Sequence, residues 1–254
     1  MKKLLLILLM AGLIAGLLVG CNGVTPPPTE GEGEGEGEGE EEVTRVVMVE
    51  VFTQSGCAYC AIVEPILEQL AQEYDRSEII LVEERADFEE IRNRHKWYLP
   101  NTLDRGTPNI LFNGFNTPYI HGSSTKITIK SKINLELGKD AKIKITAARN
   151  SDSNATTITG TIENISSSTL DNLVINGMTY KNWGSTGLKY AVRDIYAEQQ
   201  EEVSTLAPGG THNFSFTLVT PIDINWDANM LHGVIFVQAV QSSTKEILQA
   251  KYIE

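Results

Sequence analysis

The stretch SGCAYCAIVEP, Ser55–Pro65, places two cysteines two residues apart at the point where a helical pattern begins. Apolar residues recur at helical spacing from here, which predicts a helix from Cys57 to about Asp75. The N-terminus of a helix carries partial positive charge and unpaired N–H groups, and these stabilise a thiolate on the first cysteine. Three interpretations of the pair follow: a redox couple, a metal clip or a structural disulfide.

The segments around this pair alternate between predicted strands and helices. A β-branched run precedes the cysteines, and a second helix, with Asp87 as its N-cap, stops at Pro100. An Asn-Gly turn then joins the last two strands in a hairpin. The predicted elements are a strand over 44–54, a strand over 77–84, a helix over 86–100, and hairpin strands over 107–115 and 117–122.

The segment Ser124–Leu137 fits two patterns. Its isoleucines and leucines alternate as in a strand, but Ile129, Ile133 and Leu137 also lie four apart, between a serine cap and Gly138. Gly138 is a typical helix stop. A helix is the prediction, because the exposed face of a βαβ unit followed by a hairpin needs a cover.

The sequence after Gly138 changes to short β-branched runs separated by turns rich in serine, asparagine and glycine. This pattern predicts an immunoglobulin-like β-sandwich domain over residues 139–254, after a first domain over 44–138. The six runs are AKIKITAAR, TTITGTIEN, NLVINGMTY, THNFSFTLV, LHGVIFVQAVQ and EILQAKYIE.

Residues 44–137 resemble the thioredoxin superfamily. The resemblance rests on CAYC, on Pro65 five residues after Cys60, and on the Thr107–Pro108 dipeptide of GTPNILFNG. It implies that Cys57 is the nucleophile, Cys60 the resolving thiol and Pro65 a helix kink. It also implies that Pro108 is a cis-proline facing the cysteines, with the backbone of Thr107 exposed for pairing with an extended substrate.

The whole chain also resembles a family of thioredoxin-fold outer-membrane lipoproteins with a C-terminal β domain. The segments that carry this narrower match are VEVFTQSGCAYC and VIFVQAVQSSTKEILQA. Thioredoxins place a buried aspartate under the site, and the aligned residue here is Val51. Glu50, its neighbour, is the candidate for proton transfer, although adjacent strand residues face opposite sides. The tryptophan that normally precedes the first cysteine is Gly56.

The N-terminus predicts export and attachment to a membrane. Lys2 and Lys3 precede the apolar run LLLILLMAGLIAGLLVG, which is interpreted as a signal peptide over residues 1–20 or as an uncleaved membrane anchor. The run ends in LVGC, which resembles the bacterial lipobox and makes Cys21 the lipidated residue. Residues 21–43 then form a Pro/Gly/Glu-rich segment, predicted to be a disordered linker.

Charge and cysteine content exclude several classes of protein. The net charge is −12, to which eight glutamates between residues 30 and 42 contribute −8 and Lys2 and Lys3 contribute +2, leaving −6 for residues 43–254. Without a basic stripe, nucleic acid is not a predicted partner. With Cys21 assigned to lipid, only one close pair of cysteines remains, and so small a loop adds little stability. A metal site would need two further ligands, and the four histidines form no ligand-like pair.

These observations predict a membrane-tethered, extracytoplasmic thiol–disulfide oxidoreductase of the reductase or isomerase type. It requires no cofactor and no metal, and its partners are extracytoplasmic protein thiols or disulfides and a separate redox partner. Tyr59, between the cysteines, is predicted to contact substrate together with Thr107 and Pro108. The lipid would hold the protein to the outer membrane or to the outer face of the cytoplasmic membrane. The alternative is a non-catalytic surface lipoprotein whose β domain binds a partner and whose cysteines form a structural or vestigial disulfide.

Overall fold

The first strand of the computed structural model, β1 (Val47–Thr53), is buried along its whole length and lies at the centre of the N-terminal part. The structure describes residues 43–151, 155–181, 189–195, 199–219 and 231–253. Cys21 and the segments predicted as signal peptide, anchor and linker therefore lie outside the described residues, except for Val43.

The N-terminal part has the order βαβαββα. Its elements are β1, α1 (Cys60–Glu73), β2 (Ile79–Arg85), α2 (Glu89–Tyr98), β3 (Asn109–Phe112), β4 (Thr117–His121) and α3 (Lys126–Leu137). The strands lie in the order β2-β1-β3-β4, with β1 parallel to β2 and antiparallel to β3. Because Phe52 near the end of β1 pairs with Asn109 at the start of β3, the loops holding Cys57 and Thr107 meet at one edge of the sheet.

The two faces of this sheet pack against different neighbours. Val47, Val49 and Val51 pack with apolar residues of α1 and α3 in one core. Met48 and Phe52 point to the other face, where they pack with α2 and with strands from the C-terminal part. The alternation of side chains along a strand therefore separates the α1 face from the α2 face.

The C-terminal part contains eight described strands: β5 (Ile143–Ser151), β6 (Ala155–Asn164), β7 (Leu170–Lys181), β8 (Ala191–Ile195), β9 (Glu201–Leu206), β10 (Thr211–Val219), β11 (Leu231–Ala239) and β12 (Ile247–Ile253). The three-stranded sheet β10-β6-β5 packs over an apolar core against strands β7, β9, β11 and β12.

One sheet crosses the predicted domain boundary at residue 138. Its order is β12-β11-β7-β8-β2-β1-β3-β4, with β9 paired to β7, and Glu83 of β2 is the register partner of Ala191 of β8. The described residues accordingly belong to one compact unit. The result is a mixed α/β fold with more strand than helix, and the division into two domains stays a prediction.

Most predicted elements are present with shifted ends. The segment Ser124–Leu137 is a helix, as predicted, with Thr125 rather than a serine as its cap and Gly138 at its C-terminus. The Asn-Gly turn is also confirmed: Asn113 and Gly114 have φ angles of 49° and 71°. All six predicted C-terminal runs form strands, whereas β8 and β9 were not predicted.

Candidate active site

Cys57 and Cys60 form a disulfide at the start of α1, with their Cα atoms 5.3 Å apart. The predicted helix start at Cys57 is wrong by one turn, since α1 begins at Cys60. With this start, the backbone N–H of Cys60 is free of the helix and donates to Cys57 Sγ over 3.1 Å. Cys57 Sγ therefore receives a donor from the helix N-terminus, which would stabilise negative charge on that sulfur.

Thr107 and Pro108 form the wall opposite the disulfide. Cys57 Sγ lies 3.4 Å from the carbonyl oxygen of Thr107. The Thr107–Pro108 peptide bond is cis, as the resemblance to thioredoxins implies, and Pro108 is buried. The structure thus brings Cys57, Thr107 and Pro108 together, although fifty residues separate them in sequence.

The two sulfurs differ in their access to solvent. Cys57 is half-buried, whereas Cys60 is only 2% exposed. Tyr59, the predicted substrate contact, is 60% exposed between them, and Ile62 and Leu103 also expose apolar side chains beside the two loops of the site. Pro65 lies inside α1, as predicted. A partner can approach Cys57 directly, and Cys60 is reached only through it.

The carboxylate of Asp87, in the β2–α2 loop, is hydrogen-bonded to the loop that carries the cysteines. Asp87 Oδ2 accepts hydrogen bonds from the backbone N–H of Ser55, at 3.0 Å, and from its hydroxyl, at 2.9 Å. Arg85 forms an ion pair with the same oxygen at 2.9 Å. The prediction of Asp87 as the N-cap of α2 is therefore wrong: Phe88 occupies that position, and no side chain caps the helix. A partner distant in sequence satisfies this carboxylate instead of the local N–H groups.

Glu50 lies on the face of the sheet opposite α1. Its carboxylate accepts hydrogen bonds from Arg94 Nε and from the Tyr98 hydroxyl, each at 2.7 Å, and both residues belong to α2. Val51, its neighbour, packs on the α1 face. Glu50 was expected to lie near the cysteines. Its side chain instead points to the α2 face, where Arg94 and Tyr98 bind it.

Glu83 is a buried carboxyl group that the sequence analysis missed. It is the register partner of Val51 on the neighbouring parallel strand, so its side chain shares the α1 face. Burial raises the pKa of Glu83 to about 8. A hydrogen bond from the backbone of Tyr190 acts against this rise, and the negative charges of Glu68 and Glu64 add to it. Two adjacent glutamates at a strand end were the only signal in the sequence, and that pattern normally marks a solvated edge.

The described residues contain no group of three or more histidine, cysteine, aspartate or glutamate side chains arranged to hold a metal ion. Within the same ranges, none of the α-helices has both the length and the hydropathy that crossing a membrane requires.

Comparison with known proteins gives a likeness of fold. No family model and no curated protein matches the sequence. Among solved structures, the chain is similar to HBP35 of Porphyromonas gingivalis, with a TM-score of 0.64 and 17% identity over 83% of this chain and 75% of that one. A domain of the outer membrane lipoprotein Omp28 from Porphyromonas gingivalis matches with a TM-score of 0.34 and 17% identity, over 45% of this chain and 88% of that one. At this identity the first likeness concerns the fold alone, and the second is too weak to support an argument.

Proposed function

We propose that the protein is a membrane-tethered, extracytoplasmic thiol–disulfide oxidoreductase that uses Cys57 and Cys60 as its redox couple. The observation that carries the proposal is the environment of Cys57 Sγ. This sulfur is partly accessible, accepts the Cys60 N–H at 3.1 Å and faces the Thr107 carbonyl at 3.4 Å. A disulfide that served stability alone would need neither the helix N-terminus nor a facing wall.

The reaction would proceed through a mixed disulfide. In the reduced protein, the Cys57 thiolate attacks one sulfur of a substrate disulfide, and the other substrate sulfur leaves as a thiolate. Cys60 Sγ then attacks Cys57 Sγ, which closes the Cys57–Cys60 disulfide and releases the second substrate thiol. Two electrons pass from the cysteine pair to the substrate, and a separate dithiol partner must return them for the next turnover. The same steps in reverse would oxidise a substrate dithiol.

Glu83 is a candidate for the proton transfer that this sequence needs. Cys60 must lose a proton before it can attack. Glu83 is the register partner of Val51 and shares the face on which α1 packs. A carboxyl group with a pKa of about 8 exchanges its proton near neutral pH. Glu83 thus replaces Glu50 in this role in our proposal.

The substrate class that fits the site is an unfolded or extended polypeptide. Tyr59 and Ile62, in the segment that carries the cysteines, are 60% and 54% exposed, and Leu103, in the segment that leads to Thr107, is 87% exposed. The backbone of Thr107 lies beside the sulfur that a substrate would approach. Apolar side chains around a backbone hydrogen-bonding edge suit many sequences, which supports a broad range of protein substrates.

The fold and the N-terminal sequence support the rest of the proposal. The βαβαββα order with the cysteines directly after β1 is consistent with the thioredoxin superfamily. The LVGC sequence before residue 22 supports lipidation at Cys21 and a location in the cell envelope. The immunoglobulin-like assignment of the C-terminal strands belongs to the same proposal.

Trapping of substrates by a Cys60→Ser variant tests the function. Without the resolving thiol, mixed disulfides through Cys57 should accumulate in the native cell envelope as adducts that dithiothreitol releases. The Cys57→Ser variant is the matched control and should form none. Absence of adducts from Cys60→Ser, together with a wild-type protein that neither reduces insulin nor isomerises disulfides, would contradict the proposal and favour the non-catalytic surface lipoprotein.

A further inference from the structure

A hydrogen-bonded chain of three side chains lies behind the Thr107–Pro108 wall. His95 Nε2 is 2.8 Å from Asn109 Oδ1, and Asn109 Nδ2 is 3.0 Å from His121 Nδ1. His95 and Asn109 are buried, at 3% and 0% exposure, whereas His121 is exposed. The chain therefore runs from the core under the site to its surface, and its middle member directly follows Pro108.

The three side chains come from three different elements, and each is fixed by its neighbours. The His95 ring from α2 stacks on Phe52, with ring centroids 4.4 Å apart and 9° between the planes. Asn109 of β3 is the register partner of Phe52 on one side and of His121 of β4 on the other. The amide of Asn109 is thus held between two imidazoles, with little freedom to turn.

The surface end of this chain contacts the segment that reaches the disulfide. A Cβ atom added to Gly106 would lie 2.3 Å from His121 Cε1 and 2.9 Å from its Nε2. The His121 ring therefore lies directly against the backbone of Gly106. Gly106 precedes Thr107, whose carbonyl oxygen is 3.4 Å from Cys57 Sγ. A movement of the His121 ring would therefore displace Gly106 and, through it, the Thr107 carbonyl beside Cys57 Sγ.

With Asn109 Oδ1 on the His95 side and Nδ2 on the His121 side, the contacts set the proton positions on both rings. Since Asn109 Oδ1 only accepts hydrogen bonds, His95 Nε2 must carry a hydrogen. Since Asn109 Nδ2 only donates, His121 Nδ1 must be bare, and its hydrogen is on Nε2. Burial lowers the pKa of His95, which fits a neutral ring with that one donor. The amide orientation and the two tautomers are coupled, because turning the amide over would require both rings to carry their hydrogens on the other nitrogen.

We propose that Asn109, held between His95 and His121, is a positioning residue that sets the distance of the Thr107 carbonyl from Cys57. The inference rests on the proposed function, because it assigns a role in the redox site. In the reduced protein the carbonyl would accept the Cys57 thiol hydrogen and disfavour the thiolate. Loosening the chain would let the carbonyl move away and make Cys57 a faster nucleophile.

Nitrogen NMR of the imidazole rings tests the proton assignment in the wild-type chain. The full chain, labelled with nitrogen-15 in its four histidines, would be measured in detergent near pH 8. We expect His121 with a bare Nδ1 and a protonated Nε2, and His95 with a protonated Nε2. A neutral His121 protonated on Nδ1, or averaged between its two tautomers, would overturn the proposal.

Two substitutions at His121 each remove one of the two contacts that link Asn109 to Gly106. His121→Phe keeps a ring against Gly106 but removes the acceptor, and His121→Asn keeps an acceptor near the Nδ1 position but removes the ring atoms that touch Gly106. The readout is the rate at which iodoacetamide alkylates Cys57 in the reduced full chain, followed on the Cys57 peptide by mass spectrometry. We expect each substitution to raise this rate about fivefold, the factor that corresponds to one ordinary hydrogen bond.

The matched control removes a histidine far from the site. His212 of β10 is hydrogen-bonded to Glu201 in the three-stranded sheet region, and His212→Asn should leave the rate at Cys57 unchanged. Folded His121 variants that alkylate like the wild type would overturn the proposal. Neither measurement requires turnover, so a protein without oxidoreductase activity could still have the positioning chain, and an active one could lack it.

Discussion

The two faces of the β1–β2 strand pair differ in whether a cation lies against their buried carboxyl groups. On the α2 face, Glu50 and Glu84 lie around the Arg94 guanidinium, with Arg94 Nε at 2.7 Å from Glu50 and 3.8 Å from Glu84. On the α1 face, Glu83 accepts one hydrogen bond, from the Tyr190 N–H, and its Oε1 atom has no hydrogen-bond partner among the described residues. A guanidinium lies against the buried carboxyl groups of the α2 face, whereas no cation of the described residues is hydrogen-bonded to Glu83.

The difference determines which groups are charged. Burial opposes the charge on Arg94, but Glu50, Tyr98 and Glu84 together outweigh it and raise the pKa of Arg94. Burial, followed by the charge of Glu50, raises the pKa of Glu84 well above its ordinary range. Burial raises the pKa of Glu83 to about 8, with no cation of the described residues hydrogen-bonded to it, so Glu83 keeps its proton at neutral pH. The α2 face therefore combines the Glu50–Arg94 ion pair with a second carboxyl group, Glu84, that keeps its proton. The α1 face, where the disulfide lies, holds Glu83, an exchangeable acid without a hydrogen-bonded cation among the described residues.

Removing the countercharge of the α2 face should have the largest effect. Arg94→Met leaves the Glu50 carboxylate buried without its cation, and we expect a loss of about 3 to 5 kcal/mol in the free energy of unfolding at pH 7. Urea denaturation followed by circular dichroism measures it. Lys96→Met removes an exposed charge from the same helix and should change stability little. Equal effects of the two substitutions would mean that Arg94 does not stabilise the buried carboxylate.

Removing the unpaired acid of the α1 face should have a smaller effect of opposite sign. The pKa of Glu83 is raised in the folded state, so the unfolded chain loses its proton first and the wild-type protein loses stability as pH rises from about 4.5 to 8. Glu83→Gln cannot ionise and should escape this loss. We expect its stability relative to the wild type to increase by about 2 to 3 kcal/mol between pH 5 and pH 7.

Denaturation at several pH values distinguishes this effect from a general change in packing. Glu90→Gln, at an exposed acid of α2, should show a pH-independent difference from the wild type. A Glu83→Gln difference that is constant across pH 5 to 8 would contradict a raised pKa for Glu83. A concurrent fall in the rate at which Cys60 resolves mixed disulfides would extend the result to the proposed proton transfer.

Removing the exposed Asp87 carboxylate, which links the two loops, should have the smallest effect on stability. Hydrogen bonds from Arg85 and then from Ser55 lower the pKa of Asp87, so its contribution is present above the unfolded pKa and is lost as pH falls through the folded one. Because the Arg85–Asp87 pair is exposed, Asp87→Asn should cost no more than about 1 kcal/mol at pH 7. The same substitution at the exposed Asp75 is the control. A loss as large as that of Arg94→Met would contradict the distinction between buried and exposed pairs.

The sequence was sufficient for the parts of the site that depend on chain order. CAYC after a β-branched run, Pro65 in the following helix and Thr107–Pro108 before a strand carry a resemblance that implied which segments would meet, and Cys57 does contact Thr107. The residue pattern of β1 and β2 does not by itself show which face lies under the cysteines, because strands buried on both sides show no alternation. Hence Glu50 was a candidate on the wrong face, and Glu83 was missed.

Two other errors have a common cause in long-range contacts. Asp87 satisfies the local pattern of an N-cap, but Ser55 supplies better donors from a distant loop. The strand β8 is short and carries Arg193 and Asp194, so its sequence lacks a strand pattern. It forms because it pairs with β7 in antiparallel register and, at Ala191, with the edge of β2, where the Glu83 N–H donates to the Tyr190 carbonyl. Neither partner could be identified from local sequence.

The equilibrium of the Cys57–Cys60 disulfide with glutathione is the most direct test of the central claim that this pair is a working redox couple. The full chain would be incubated in graded mixtures of reduced and oxidised glutathione, and the state of the Cys57 and Cys60 peptides followed by mass spectrometry. The account predicts exchange within minutes and a midpoint between about −120 and −270 mV, the range of disulfide oxidoreductases. A pair that stays oxidised, with a midpoint below about −300 mV as in structural disulfides, would contradict it.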